Sequence, residues 1–269
     1  MWQQYISKLC FYNFTFKALL ACSLVLISGE KIAFAQSDRK IVKLERVITF
    51  SGYRWLVKSS SDTESGTVGP GNNYFSDSKK NAWIDKKGWL HLKITTRRGK
   101  RYCAEVTLDQ PLGYKKYIFQ VASKVDQFHP NVVGGIFTYL SGTDGAEEID
   151  LEFSRWGNGS SLNNAQYVLQ PFDSLGNIHP FRLDQKGDAT THLFDWKPGR
   201  IDFISYHGHS SSTPSDSSMM INEWQYFGHD VPVDPNGRIH INLWIFHRDR
   251  INRSERVNGE LIIKHFEAL

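Results

Sequence analysis

The sequence predicts an all-β fold, a two-sheet antiparallel β-sandwich, and three observations carry that prediction. Over residues 41–140, short runs of alternating apolar and polar residues follow one another at strand-like spacing, broken by Gly and Pro turns. No stretch has the periodicity of an amphipathic helix. No internal repeat and no Rossmann-type glycine motif is present, which leaves a sandwich as the architecture that suits regular short strands.

Taken in order, residues 1–35 read as a signal peptide and residues 36–269 as a single domain. Lys8 and Lys17 supply positive charge, residues 18–28 form an apolar run, and Ala33-Phe34-Ala35 fits a small-x-small cleavage site. The run is too short to span a bilayer. Lys17 leaves almost no apolar region before Cys22, so Leu19-Leu20-Ala21-Cys22 is not read as a lipoprotein box. The expectation is an exported protein, secreted or periplasmic, free of the membrane after cleavage and monomeric. With 32 Lys and Arg against 28 Asp and Glu, the charge balance points to neither nucleic acid nor acidic polymers. Of the three cysteines only Cys103 follows the cleavage site, so no internal disulfide is expected and Cys103 reads as a buried packing residue.

Within the domain, Ala82-Trp83-Ile84 and residues 89–94 flank Asp85-Lys86-Lys87-Gly88 and read as a hairpin. Strands are expected over residues 102–108, 117–123, 132–140 and 165–170. The stretch Glu147-Glu148-Ile149-Asp150-Leu151-Glu152-Phe153 stands apart from these. On a strand, Glu148, Asp150 and Glu152 point one way and Ile149, Leu151 and Phe153 point the other, into a core. Three like charges side by side destabilise a sheet, so the pattern asks for a reason. It is an acidic strand facing solvent, a cation site, or a catalytic carboxylate set. The Cα atoms of Glu148 and Glu152 would lie about 13 Å apart, and side chains leaning inward on a concave strand approach the separation of about 5–5.5 Å that retaining glycosidases need. Asp150 sits between them, and its charge favours a protonated neighbour, which is how one carboxyl of a pair becomes an acid near neutral pH. Both glutamates are expected to face solvent.

Other residues are candidates for holding a ligand. Gly135, Phe137 and Tyr139 share one strand face, where rings either stack on sugar C–H faces or fill a core. In Arg238-Ile239-His240-Ile241-Asn242-Leu243-Trp244, the residues Asn242 and Trp244 share a face while Ile241, Leu243 and Ile245 fill the other. Gln166 and Gln170 present amides beside Val168. Trp156, close to the carboxylates in sequence, lines a subsite or caps the sandwich edge, and Arg155 is placed to steady the acidic cluster. His207-Gly208-His209 is half a metal site with no third ligand placed by the sequence, so no metal site is expected.

Glu148-Ile149-Asp150-Leu151-Glu152 resembles the E-[aliphatic]-D-[aliphatic]-E hallmark of the family 16 glycoside hydrolases, in the form found in bacterial lichenases. Gly134-Gly135-Ile136-Phe137-Thr138-Tyr139 is similar to the strand that precedes the catalytic one. Cys103-Ala104-Glu105 is similar to a Cys-Ala-Glu whose Glu contacts sugar. The segment from Thr191 to Ile201 resembles Tyr-x-Phe-Asp-Trp-x-Pro-Gly-x-Ile, and the segment from Arg238 to Trp244 resembles a Met-Asn-Leu-Trp strand. The resemblance runs from about Asn72 to the C-terminus. It implies a jelly roll with a concave groove and an endo-β-glucanase that hydrolyses β-1,3- and/or β-1,3-1,4-linked glucan with retention, without a cofactor. By the same resemblance Glu148 is the nucleophile, Asp150 the assisting carboxylate and Glu152 the general acid/base. The expected substrate contacts are Glu105, Phe137, Tyr139, Trp156, Gln166, Asn242 and Trp244. Transglycosylation and a lectin-like sandwich without turnover are the alternatives. The sequence departs from the lichenase pattern at several points. Ala146 stands where they have a Trp, Val106-Thr107 replaces x-Arg after Cys-Ala-Glu, and Val168 and Gln170 replace an Asn and a Tyr. His265 falls where an Asp helps hold a structural calcium, so a structural calcium is not supported and the sugar identity stays open.

Overall fold

The structure, a computed structural model, describes residues 45–269 apart from 144 and 146; the expected signal peptide lies outside the described residues. The first nine strands are β1 (Arg46–Phe50), β2 (Tyr53–Val57), β3 (Tyr74–Phe75), β4 (Ala82–Ile84), β5 (Leu90–Lys93), β6 (Thr95–Arg97), β7 (Lys100–Leu108), β8 (Lys116–Val121) and β9 (Val132–Tyr139). Eight more follow: β10 (Ile149–Phe153), β11 (Ala165–Leu169), β12 (Ile178–Phe181), β13 (Thr190–Lys197), β14 (Arg200–His207), β15 (Met220–Tyr226), β16 (Arg238–Ile245) and β17 (Glu260–Ala268). They form two sheets, β1-β2-β7-β16-β9-β10-β11-β12 and β15-β14-β13-β8-β17-β5-β4, with the short β3 and β6 also paired to β7. Every pairing is antiparallel except that of β3, which runs parallel to β7. The all-β sandwich expected from strand periodicity is what forms.

Local chemistry sets the element ends. In the β4–β5 hairpin, Asp85 Oδ1 accepts from the backbone N–H of Lys87 at 2.8 Å and of Trp89 at 2.9 Å, and Gly88 takes a left-handed φ of 81°. The strand of the acidic stretch starts at Ile149, so Glu147 and Glu148 precede it. Glu148 is nevertheless held in line, because its carbonyl accepts from Gln170 N at 3.1 Å.

Alternation then sorts the faces. Ile149, Leu151 and Phe153 on β10 and Ile239, Ile241, Leu243 and Ile245 on β16 are buried between the sheets. Each such side chain contributes roughly 1.5–3 kcal/mol on burial. Rings stitch the sheets together: Tyr167 of β11 stacks on Phe203 of β14 at 4.7 Å, and Trp55 of β2 meets Phe266 of β17 edge-on at 5.3 Å. A buried polar chain crosses the same gap, with Tyr167 donating its hydroxyl to Ser205 Oγ at 2.7 Å. Ser205 then donates to His192 Nδ1 at 2.7 Å, which leaves His192 Nε2–H to donate to Thr190 Oγ1 at 2.9 Å. Burial drives the His192 pKa down to about 3, so the ring stays neutral and all its partners are satisfied. Cys103 is fully buried, as expected, and burial pushes its thiol up to about 12.

Candidate active site

The opposite face of the larger sheet carries the chemistry, and strand register assembles it. Gln166 faces Glu152, Glu152 faces Gly135, Gly135 faces Asn242, and Asn242 faces Glu105. This row runs across five strands. The next row places Asp150 beside Phe137, Phe137 beside His240, and His240 beside Thr107. Together the rows floor a cleft of about 390 Å³ that takes in Glu148, Asp150, Glu152, Glu105, Phe137, Tyr139, Asn242 and Trp244, all expected from the sequence. Lys58, Gly69, Pro70 and His240 also line it and were not expected.

Two glycines keep the cleft open. A Cβ on Gly135 would lie 2.6 Å from Asn242 Oδ1, so any other residue would displace that amide. Asn242 Oδ1 is itself buried without a partner among the described residues, an acceptor that is costly to leave unmet. Gly71, at φ 64°, brings its loop so close to Trp244 that a Cβ would sit 2.7 Å from Cζ3.

The carboxylates are enclosed, not facing solvent as the sequence suggested; Asp150 is 3% exposed, and Glu148 and Glu152 are partly buried. Burial is the largest influence on all three. It pushes Glu152 up to about 8, with the charge of Asp150 adding to the rise and a hydrogen bond from Gln166 Nε2 to Glu152 Oε2 at 2.7 Å opposing it. Asp150 is held well above the usual carboxylate range by burial and by the charge of Glu148, to which it is hydrogen-bonded. Glu148 is raised to about 7, first by burial and also by the charges of Glu152 and Glu105, and is lowered in part by that same bond, in which Asp150 is the donor. This corrects the expectation that Asp150 acts mainly as a repelling charge on Glu152. Burial does most of that work, and Asp150 serves as a donor to Glu148.

Gln166 and Gln170, expected to meet sugar hydroxyls, are instead bonded to the acids. Gln170 Nε2 donates to Asp150 Oδ2 at 3.0 Å, its orientation fixed because its Oε1 accepts from Phe172 N at 3.0 Å. Trp156 does not line the cleft. It adopts φ 50° at the end of the acidic strand and packs edge-on against Phe246 at 5.2 Å and Trp244 at 6.0 Å. The left-handed backbone turns it behind Trp244, as a support. Arg155 also turns away, donating to the carbonyls of Phe128 at 3.0 Å and Asp126 at 2.8 Å, so it does not steady the acids.

Glu105 is 2% exposed and both its oxygens are engaged, Oε1 with His240 Nδ1 at 3.0 Å and Oε2 with Lys58 Nζ at 2.8 Å. Burial pushes its pKa up, but those two partners more than offset it and hold the carboxylate below its usual range. His240 could have been found from the sequence, since it shares a strand face with Asn242 and Trp244. Nothing in sequence connects Lys58 to Glu105. Away from the cleft, His209 Nε2 donates to Val121 O at 2.8 Å, and no group of three or more His, Cys, Asp or Glu among the described residues is arranged to hold a metal ion.

Comparison with known proteins agrees with this architecture. No family model matches the chain. A β-glucanase of Acetivibrio thermocellus is 25% identical over 231 residues, covering 79% of this chain and 64% of the relative; the match thus spans less than two thirds of the curated relative's length. A β-1,3-1,4-glucanase (lichenase) derived from a mouse hindgut metagenome superposes with a TM-score of 0.52 at 20% identity, covering 80% of this chain and 98% of that one. A family 16 endo-glucanase from Bacteroides ovatus gives a TM-score of 0.58 at 12% identity, covering 80% and 94%. The fold is that of the family 16 β-glucanases, and the resemblance drawn from the acidic strand holds at the level of the whole sandwich.

Proposed function

We propose that this protein is an exported, monomeric endo-β-glucanase that cleaves β-1,3- or β-1,3-1,4-linked glucan with retention of configuration. The observation that carries the reading is the placement of Glu148, Asp150 and Glu152 in one cleft, with burial holding the Glu152 carboxyl at about 8 and Glu148, the lower of the two, at about 7, so that Glu148 ionises first. A retaining displacement needs one ionised and one protonated carboxyl in the same cleft.

In the first step a Glu148 carboxylate oxygen attacks the anomeric carbon. The bond from that carbon to the bridging oxygen breaks, and the departing oxygen takes the proton of Glu152. Asp150, donating to Glu148, holds the attacking carboxylate in position. In the second step the Glu152 carboxylate removes a proton from water, whose oxygen attacks the same carbon and frees Glu148. With Glu148 esterified its negative charge is gone, which makes ionised Glu152 easier to maintain for this step. Phe137, Tyr139 and Trp244 offer ring surface to the sugars, and Asn242 Oδ1 offers an acceptor.

Reducing-sugar release from a panel of β-1,3-, β-1,4- and mixed-linkage glucans tests the reading, with binding measured in parallel and the anomeric outcome followed by NMR. Release that Glu148→Gln and Glu152→Gln each abolish is the expected result. Binding without release points to a lectin-like sandwich, and products longer than the substrate point to transglycosylation.

A further inference from the structure

The Glu105–His240 pair does more than neutralise a buried charge. His240 Nδ1 lies 3.0 Å from both Glu105 Oε1 and Thr107 Oγ1, while Nε2 has no hydrogen bond among the described residues. The ring is pinned in a plane, stacked on Phe137 at 4.9 Å with 27° between planes and meeting Tyr139 edge-on at 5.9 Å. Lys58 completes the arrangement by taking the other Glu105 oxygen at 2.8 Å. A carboxylate that accepts from Nδ1–H fixes the tautomer of a neutral imidazole, so the lone pair stands on Nε2. Thr107 Oγ1 can share the same Nδ1–H or donate elsewhere, and does not change that assignment.

We propose that His240 is a sugar-binding, specificity-determining residue, whose Nε2 accepts a hydrogen bond from a hydroxyl of the saccharide lying over Phe137. This rests on the glucanase reading above and adds to it a site that distinguishes one sugar hydroxyl from its absence. The position suits that role. On the sheet, His240 is two strands from Asp150, roughly 10 Å between Cα atoms. That span lets one saccharide touch both the acids and the imidazole. Lys58 and Glu105, which line the same cleft, hold the ring through Nδ1 and are positioning residues. A site built to hydrogen-bond a hydroxyl rejects an analogue without it much more strongly than an apolar pocket rejects an extra methylene, because the buried polar partner is left unmet.

Two substitutions separate the ring nitrogens, since an Asn amide falls near the place of Nδ1 and a Gln amide near that of Nε2. His240→Asn keeps the bond to Glu105 and removes the outward acceptor; His240→Gln does the reverse. Dissociation constants for gluco-oligosaccharides are read by calorimetry, with kcat and KM on the best glucan of the panel and melting temperature as a check on folding. The proposal expects His240→Asn to weaken binding about tenfold and to act through KM, while His240→Gln stays within about threefold of wild type. It further expects one monodeoxy oligosaccharide to bind about tenfold more weakly than its parent to wild type, and equally to His240→Asn. If wild type binds and both variants bind as it does, the His240 site is overturned and the glucanase reading stands. If both lose affinity alike with a large fall in melting temperature, His240 is structural and the proposal fails. A wild-type protein that neither binds nor cleaves any glucan overturns both.

Discussion

Removing the amide that faces the acid gives the sharpest test of the electrostatics. Gln166 Nε2 donates to Glu152 Oε2 at 2.7 Å, a bond that favours the ionised form and so holds the Glu152 pKa below where burial alone would put it. Gln166→Leu deletes the donor while keeping similar bulk. A hydrogen bond to a charged acceptor contributes about 1.5–3 kcal/mol. At about 1.4 kcal/mol per pKa unit, its loss should raise the Glu152 pKa by about one to two units, the lower figure applying if water from the cleft replaces the amide. The acid then stays protonated to higher pH, so the alkaline limb of kcat/KM, expected near 8 in wild type, should move upward by about one unit. Initial rates at low substrate between pH 5 and 10 would read it. Gln170→Leu is the control, since that amide donates to Asp150 and not to Glu152. An alkaline limb that stays put or moves down in Gln166→Leu, while the variant stays folded, would refute the assignment of Glu152 as the group that titrates there.

Three further outcomes follow from the same geometry. Asp150→Asn should lower the alkaline limb by less than about one unit, because burial, the larger cause of the Glu152 shift, is left in place; a fall of two units or more would restore charge repulsion as the main cause. Glu152 is raised from its unfolded value to about 8, so the folded state binds the extra proton and stability falls as pH rises from about 4.3 through 8. Glu152→Gln should therefore melt higher than wild type at pH 8, by a few degrees, and alike at pH 4; calorimetric scans at the two pH values decide it. Trp244 is 8% exposed and packs on Trp156 and Phe246 as well as lining the cleft. Trp244→Ala should consequently lose about 3–5 kcal/mol of stability and also raise KM, a combined effect that urea titration and kinetics would separate.

What could be read from sequence was what strand alternation decides. Ile149, Leu151 and Phe153 had to go one way and the acids the other, and Asn242 and Trp244 had to share a face; the structure has both. What could not be read depended on neighbours brought in from distant strands. Lys58 reaches Glu105 across 47 residues, and His240 gains its meaning only from Glu105, Thr107 and Phe137 beside it. Nearness along the chain misled in the other direction. Trp156 and Arg155 follow the acids within a few residues, yet a left-handed turn at Trp156 and backbone acceptors at Phe128 and Asp126 take both away. Enclosure of the acids was also hidden, since alternation says which way a side chain points and not what closes over it.

The row Gln166–Glu152–Gly135–Asn242–Glu105 runs perpendicular to the strands, one residue from each. A linear polymer laid along it would be read transversely, each sugar by a different stretch of chain. Substitutions more than about 7–10 Å apart with no shared partner act independently. Preference at one end of the polymer can thus drift without retuning the other, and without touching the inward residues that hold the sheets together. Gly135 is the exception, because it stands between Glu152 and Asn242 and bears on both. Variation along the lineage of this chain should accordingly be uncoupled between the two ends of the row, each tied to its own partner, Gln166 to Glu152 and Glu105 to His240, and frozen at its crossing point.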